Sequence, residues 1–122
     1  MIIFKQNKIY KSTLDERTLE FAKRIIGLCK ALPKNTVNIE LVRQLVRAGA
    51  SVGANYREAN DALSKKDFIY RMRISRKETK ETKYWLELVI EANPEFKKRT
   101  EPLLQESVEL IKILSSIIGK SK

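Results

Sequence analysis

Apolar residues recur along the chain at three- and four-residue steps in four stretches, and none alternates with the period of two expected of a half-buried strand. In the first stretch Leu14, Thr18, Phe21, Ala22, Ile25, Leu28, Cys29 and Leu32 fall on one arc. Thr13 with Glu16 reads as a capping box and Pro33 as a stop, which predicts a helix over about 14–32. The second stretch, about 39–62, takes Asn38 as its cap and turns Leu41, Val42, Leu45, Val46, Ala48, Gly49, Val52, Gly53 and Tyr56 inward. The third, about 65–93, starts at Ser64 with Asp67 and stops at Asn93-Pro94; its inner stripe is Phe68, Met72, Ser75, Thr79, Thr82, Leu86, Val89 and Ile90. The fourth begins near Thr100-Glu101-Pro102, with proline in the tolerated first turn, and carries Leu103, Leu104, Val108, Leu110, Ile111, Leu114, Ile117 and Ile118 before Gly119 closes it. Short connections favour antiparallel neighbours. The expected fold is therefore all-α, an up-down-up-down four-helix bundle over 13–119, with an N-terminal arm (1–12) and a C-terminal tail (120–122).

The second stretch contains Ala48-Gly49-Ala50-Ser51-Val52-Gly53-Ala54, almost without side-chain bulk. Glycine inside a helix costs about 1 kcal/mol relative to alanine. That cost is understandable if another backbone approaches closely there, within the bundle or across a subunit interface. A nucleotide-binding glycine loop would need a preceding strand, which the pattern does not supply.

Composition narrows the function. The 122 residues suit one domain, and no apolar run approaches the ~18 residues needed to cross a bilayer. The start, Met1-Ile2-Ile3-Phe4-Lys5, is too short and too soon charged for a signal peptide, and Cys29 stands alone, so a cytoplasmic protein without disulfides is expected. Cys29 lies inside the apolar arc and reads as a packing thiol rather than a reactive one. Histidine is absent, which removes the commonest general base and metal ligand. No enzyme activity, metal or cofactor is expected.

The net charge of +10 points to an acidic partner, and its placement is more informative than its size. Residues 1–13 carry +3, and residues 65–83 carry eight basic against three acidic side chains. On a helix Lys65, Lys66, Arg73, Arg76, Lys77, Lys80 and Lys83 fall within one arc of about 120°. Lys77 has Glu81 and Lys83 has Glu87 as i,i+4 partners, whereas Arg73, Arg76 and Lys80 have no acid three or four positions away. Such like charges destabilise a helix by about 0.2–0.5 kcal/mol per pair. A phosphate-tracking surface for RNA or DNA explains their presence. An ordinary solvated face, or pairing with acids of a neighbouring helix or subunit, is the competing account. Ile69 falls in the same arc, which suggests that part of it touches protein.

Other clusters carry less. Asn55, Glu58, Asn60 and Asp61 resemble an oxygen-ligand metal site, but caps and ion pairs with Arg57 or Arg71 explain them more simply. Glu78 with Glu81, or Glu87 with Glu91, could be acid/base pairs; with no histidine and no sign of a cleft, solvated helix faces are the better account. Tyr84-Trp85 could stack bases, although Trp85 sits between the apolar and polar arcs, where interface or core is expected.

The run Leu41-Val42-Arg43-Gln44-Leu45-Val46-Arg47-Ala48-Gly49-Ala50-Ser51-Val52-Gly53-Ala54-Asn55-Tyr56-Arg57-Glu58-Ala59, followed by Ser64-Lys65-Lys66-Asp67-Phe68-Ile69 and Tyr84-Trp85-Leu86-Glu87-Leu88, resembles the bacterial four-helix-bundle protein family. That family is also called the 23S rRNA intervening-sequence protein family. The resemblance covers about residues 12–118. It implies a ring-like homopentamer of up-down bundles, in which Ser51, Asn55 and Glu58 match signature positions with a structural role. The family includes accessory proteins of diversity-generating retroelements, basic pentamers that bind a reverse transcriptase and nucleic acid; most other members have no established activity. Between Met72 and Lys83 this chain departs from its relatives, because Arg73-Ile74-Ser75-Arg76-Lys77-Glu78-Thr79-Lys80 replaces a less basic, more aliphatic and acidic run. The basic stripe therefore rests on the residues themselves and not on the resemblance.

Two functions compete. The first is an oligomeric, non-enzymatic bundle that contacts RNA or DNA through the flank of the third helix. The second is a protein-interaction or assembly module whose basic flank meets an acidic partner or another subunit. In either, the small-residue run together with Ile69, Ile74, Leu88 and Ile113 offers more apolar surface than one bundle needs, so a homo-oligomer is expected.

Overall fold

The structure is a computed structural model that describes residues 2–122, and side chains from Leu14 onward. The order is α1 (Ile2–Ala31), α2 (Thr36–Asn60), α3 (Lys65–Ala92), a 3-10 turn (Pro94–Phe96) and α4 (Lys97–Ser121), with no strand among the described residues. Each helix packs on its chain neighbours, and α1 meets α4 to close the ring; among the described residues no diagonal pair is in contact. This is the up-down-up-down four-helix bundle expected from the periodicity.

The inner stripes form one core. Leu14, Phe21, Ile25 and Leu28 of α1, Leu45, Val52 and Tyr56 of α2, Met72, Leu86 and Val89 of α3, and Leu110, Leu114 and Ile118 of α4 are buried together. Cys29, Ile69, Leu88 and Ile113 pack partly buried against this core, and Ile74 is half-buried. These isoleucines and Leu88 are therefore not the spare apolar surface anticipated. Among the described residues the exposed large aliphatic side chains are instead Leu19, Ile26, Val37, Ile39 and Leu63.

The small-residue run brings α1 and α2 close within the bundle. A Cβ on Gly49 would stand 2.5 Å from Ile25 Cδ1, and one on Gly53 would stand 2.9 Å from Thr18 Oγ1 and 3.2 Å from Thr18 Cβ. Thr18 is itself buried and donates its hydroxyl to the Leu14 carbonyl at 2.6 Å.

Several helix boundaries differ from those expected. Helix α1 runs through Thr13 and Glu16, so that pair is no cap, and the backbone of 2–12 is continuous with the helix. Met1, and the side chains of Ile2, Ile3, Phe4, Ile9 and Tyr10, lie outside the described residues. Helix α2 is capped one turn early, by Asn35, whose side chain accepts from the Asn38 amide at 2.8 Å. Asn38 is free to turn inward, where it and Asn93 exchange side-chain hydrogen bonds at 2.8 and 2.9 Å, both buried. Helix α4 also begins early, at Lys97, which places Pro102 inside it, and it runs past Gly119 to Ser121. By contrast, Ser64 caps α3 as expected, accepting from the Asp67 amide at 3.1 Å, and Asn93 ends it.

Candidate nucleic-acid interface

Helix α3 lies between α2 and α4, so its circumference divides into a core side, two seams and an outer face. Met72, Ser75, Thr79, Thr82, Leu86 and Val89 mark the core side. On the α2 seam Arg47 reaches across to two carboxylates: Nη1 donates to Glu78 Oε2 at 3.2 Å and Nη2 to Glu81 Oε1 at 2.7 Å. Burial, then the neighbouring Glu81, raises the Glu78 pKa, whereas the hydrogen bond from Arg47 lowers that of Glu81. The arginine thus holds a pair of carboxylates in which the outer one is the more firmly ionised. Both are ion partners of that arginine.

This clamp changes the charge balance of the outer face. The Glu81 that the sequence offers to Lys77 is engaged by Arg47 instead. Lys65, Lys66, Arg73, Lys77 and Lys80 are exposed, and among the described residues none has a carboxylate in ion-pair range. Arg76 is half-buried toward α4, donating to Ser115 Oγ at 3.2 Å, and likewise lacks an acid there. Lys83 pairs with Glu87 at 3.4 Å, as its spacing suggests. The seven cations therefore share a flank but not one environment: five on the open face, Arg76 at the α4 seam, and Lys83 partly neutralised. Ile69 tucks against the core, which accounts for an aliphatic residue within this arc.

Two arginines elsewhere are matched across seams. Arg17 forks onto Glu106 of α4 at 2.7 and 2.8 Å, and Arg57 reaches Asp15 of α1 at 3.2 Å. Unmatched cations occur elsewhere on the described surface as well, Arg24, Arg43, Lys97 and Lys98 among them; on α3 five of them share one arc of a single helix.

Aromatic rings complete the face. Tyr70 and Tyr84 are 58% and 56% exposed, and among the described residues they are the exposed aromatic side chains. Tyr84 stands edge-on to Trp85, ring centroids 5.3 Å apart. Trp85 is partly buried against the core, so of the expected stacking pair only Tyr84 presents its ring. Tyr70 was not among the sequence candidates, although its place four residues after Lys66 and three before Arg73 puts it on the same face.

The other candidates resolve into local structure. Ser51 donates its hydroxyl to the Arg47 carbonyl at 2.8 Å and Asn55 its amide to the Ser51 carbonyl at 2.9 Å, a ladder along α2, while Glu58 is exposed. Asp61 caps the C-terminus of α2. Arg57 and Arg71 pair with Asp15 and Asp67, not with the Asn55–Asp61 cluster as anticipated. Among the described residues no group of three or more His, Cys, Asp or Glu could hold a metal ion. Burial pushes the Cys29 thiol up to about 11, as suits a packing thiol. No helix among the described residues is long and apolar enough to cross a membrane.

The fold and this face define a small all-α bundle with a cationic, aromatic-bearing helix flank. The chain belongs to the family described as 23S rRNA-intervening sequence protein, which matches residues 10–116. It is also similar to a protein of unknown function from the S23 ribosomal protein family of Bacteroides thetaiotaomicron, whose crystal structure superposes with a TM-score of 0.82 at 39% identity, covering 89% of this chain and 97% of that one. No curated protein matches the chain.

Proposed function

We propose that this protein is a non-enzymatic, cytoplasmic bundle that works as a homo-oligomer and holds RNA or DNA electrostatically through the flank of α3. The observation that carries this reading is the set of unmatched cations, Lys65, Lys66, Arg73, Lys77 and Lys80, within one arc of a helix on which Arg47 engages Glu78 and Glu81. Phosphates are the partner that such a row suits, because they relieve the repulsion and release counterions without requiring a base sequence. The family description names 23S rRNA and the structural neighbour is ascribed to a ribosomal protein family, so RNA is the first polyanion to test. By resemblance, the assembly is a pentamer, and a reverse transcriptase is a candidate protein partner. The exposed aliphatic residues Leu19, Ile26, Val37 and Ile39 favour a second reading, an assembly module with no nucleic-acid role.

The test is gel retardation of unrelated RNAs and DNAs across a salt series, with the Arg73→Gln, Arg76→Gln, Lys80→Gln variant beside the parent. Binding should fall steeply with salt, each lost phosphate contact reducing the log–log slope by about 0.7–0.9. The variant should weaken every sequence alike. A folded variant with parental affinity and slope would refute the electrostatic reading, and one that fails to assemble would favour the second. Sedimentation equilibrium giving a monomer at micromolar concentration would refute the oligomer.

A further inference from the structure

We infer that the outer face of α3 takes single-stranded rather than duplex polynucleotide, with Tyr70 and Tyr84 stacking on unpaired bases while the adjacent cations hold the phosphates; this rests on the nucleic-acid reading above. The two exposed aromatic rings of the described residues both lie on the cationic face, rather than being scattered over the bundle. Each borders a shallow depression with its own cations: Tyr70 with Lys65, Lys66 and Arg73, Tyr84 with Lys77 and Lys80, where Trp85 and the Glu81 carboxylate held by Arg47 complete the lining. Each also follows a lysine by four residues, Lys66 before Tyr70 and Lys80 before Tyr84. Ring and ammonium group therefore sit one helical turn apart in both places. The tyrosines are 14 positions apart, about 21 Å along the axis and within about 40° of each other around it. They form two like units on one line.

Neighbouring side chains steady the rings without covering them. The Arg71 guanidinium lies 5.8 Å from the Tyr70 ring centroid, and Trp85 meets Tyr84 at an interplanar angle of 70°. More than half of each tyrosine stays exposed. Cations alone would serve a duplex equally well, since phosphate contacts carry no base information. The rings make the difference. In a duplex the base faces are already stacked on one another, whereas a single strand offers them to an aromatic platform. Stacking on every base is tolerated, so the preference is for strandedness and not for sequence.

The experiment is fluorescence anisotropy of the full chain with a labelled mixed-sequence RNA long enough to span both tyrosines, and with the same RNA annealed to its complement. The parent should bind the single strand more tightly. Tyr70→Ala and Tyr84→Ala should each weaken the single strand about fivefold or more, leave duplex binding unchanged, and leave the salt slope at its parental value, because no phosphate contact is removed. Tyr70→Phe and Tyr84→Phe keep the ring and should bind as the parent does. Equal affinity for strand and duplex, or a double alanine variant that binds the strand like the parent, would overturn the stacking and leave the electrostatic reading standing. If the parent binds neither form, both fall. A tyrosine change that alters the sedimentation of the free protein would place this face between subunits and overturn the proposal.

Discussion

The core side and the outer face of α3 treat polar groups in opposite ways. Inside, Ser75 donates to the Val52 carbonyl of α2 at 2.7 Å, Thr79 to the Ser75 carbonyl at 2.8 Å and Thr82 to the Glu78 carbonyl at 2.7 Å. At the end of the helix Asn93 is tied to Asn38. Outside, a row of cations has no partner within the described chain. A buried polar group left unpaired is expensive, and the fold itself satisfies these hydroxyls and amides, although Trp85 Nε1 of the same helix is buried without a partner. An exposed charge is satisfied by water and can wait for a ligand. The comparison therefore separates what the helix needs in order to fold from what it keeps available, and each substitution below tests one side of that division.

The largest effect should come from the amide pair. Replacing Asn38 by Ala leaves Asn93, only 3% exposed, with an oxygen that has lost its donor. We expect a loss of about 2 kcal/mol in urea unfolding. The Asn38→Ala, Asn93→Ala double variant should cost less than the sum of the singles, because the second change removes the group that the first left unpaired. Additive losses would mean that the two amides act separately.

Close packing gives a smaller, two-sided test of how tightly the inside is determined. Alanine at either helical glycine gains up to about 1 kcal/mol of helix propensity. At Gly49 the new methyl meets the far end of Ile25, which can rotate, so Gly49→Ala should be near neutral. At Gly53 it meets the Oγ1 and Cβ of Thr18, whose hydroxyl is committed to Leu14. Gly53→Ala should therefore lose about 1–2 kcal/mol net in the same unfolding measurement. The reverse order would place the true close approach at Gly49.

Helix α3 was readable because its signals are local. Ser64 and Asp67 begin it, Asn93-Pro94 ends it, and of the eight residues on the expected stripe Met72, Ser75, Thr79, Thr82, Leu86 and Val89 are buried, with Phe68 and Ile90 half-buried. The starts of the other helices were misread where a local signal has a second use. Thr13-x-x-Glu16 has the composition of a capping box, but threonine inside a helix costs only about 0.7 kcal/mol, so the pair does not compel a start. Asn35 and Asn38 are equally good caps on composition, and it is the contacts with Asn93, 55 positions away, and with the Pro33 carbonyl that turn Asn38 inward. Pro102 is tolerated past the first turn because the carbonyl it leaves without a donor belongs to the exposed Lys98, where water can serve. The site was half legible. Charge spacing marked the cations, but the Arg47 clamp joins residues 31 and 34 positions apart, and no local pattern assigns Glu81 to Arg47 instead of Lys77.

That clamp gives a pH test at the border between the two sides. The folded pKa of Glu81 is lowered, so its stabilisation is present above the ordinary glutamate range and is lost as pH falls through the depressed value. The folded pKa of Glu78 is raised, so ionising it costs stability above that value, and acid relieves the cost. Thermal unfolding at pH 7 should show Glu81→Gln destabilised by about 0.5 kcal/mol, a half-exposed ion pair's contribution. Glu78→Gln should be unchanged or slightly more stable. Between neutral pH and the ordinary glutamate range, the Glu78→Gln protein should lose the stabilisation on acidification that the parent draws from protonating Glu78. Equal losses from both substitutions at pH 7 would mean that Arg47 holds the two carboxylates alike.

The smallest effect should have the opposite sign. Arg73, Arg76, Lys77, Lys80 and Lys83 stand three or four positions apart in overlapping pairs, each opposing the helix by about 0.2–0.5 kcal/mol before solvent screening. Changing Arg73, Arg76 and Lys80 to Gln removes every one of those pairs and keeps good helix propensity. It forfeits only the bond from Arg76 to Ser115. The free protein should then gain about 0.5 kcal/mol at low salt. The gain should shrink as ionic strength rises and the Debye length falls toward ~3 Å at 1 M. Salt would thus reduce the benefit of the substitutions to the fold while also weakening the polyanion binding of the parent, because both effects have the same source. A triple variant that is less stable than the parent at low salt would show that these cations are already matched within the assembly. The outer face of α3 would then belong with its core side, as part of what the protein needs in order to fold and assemble.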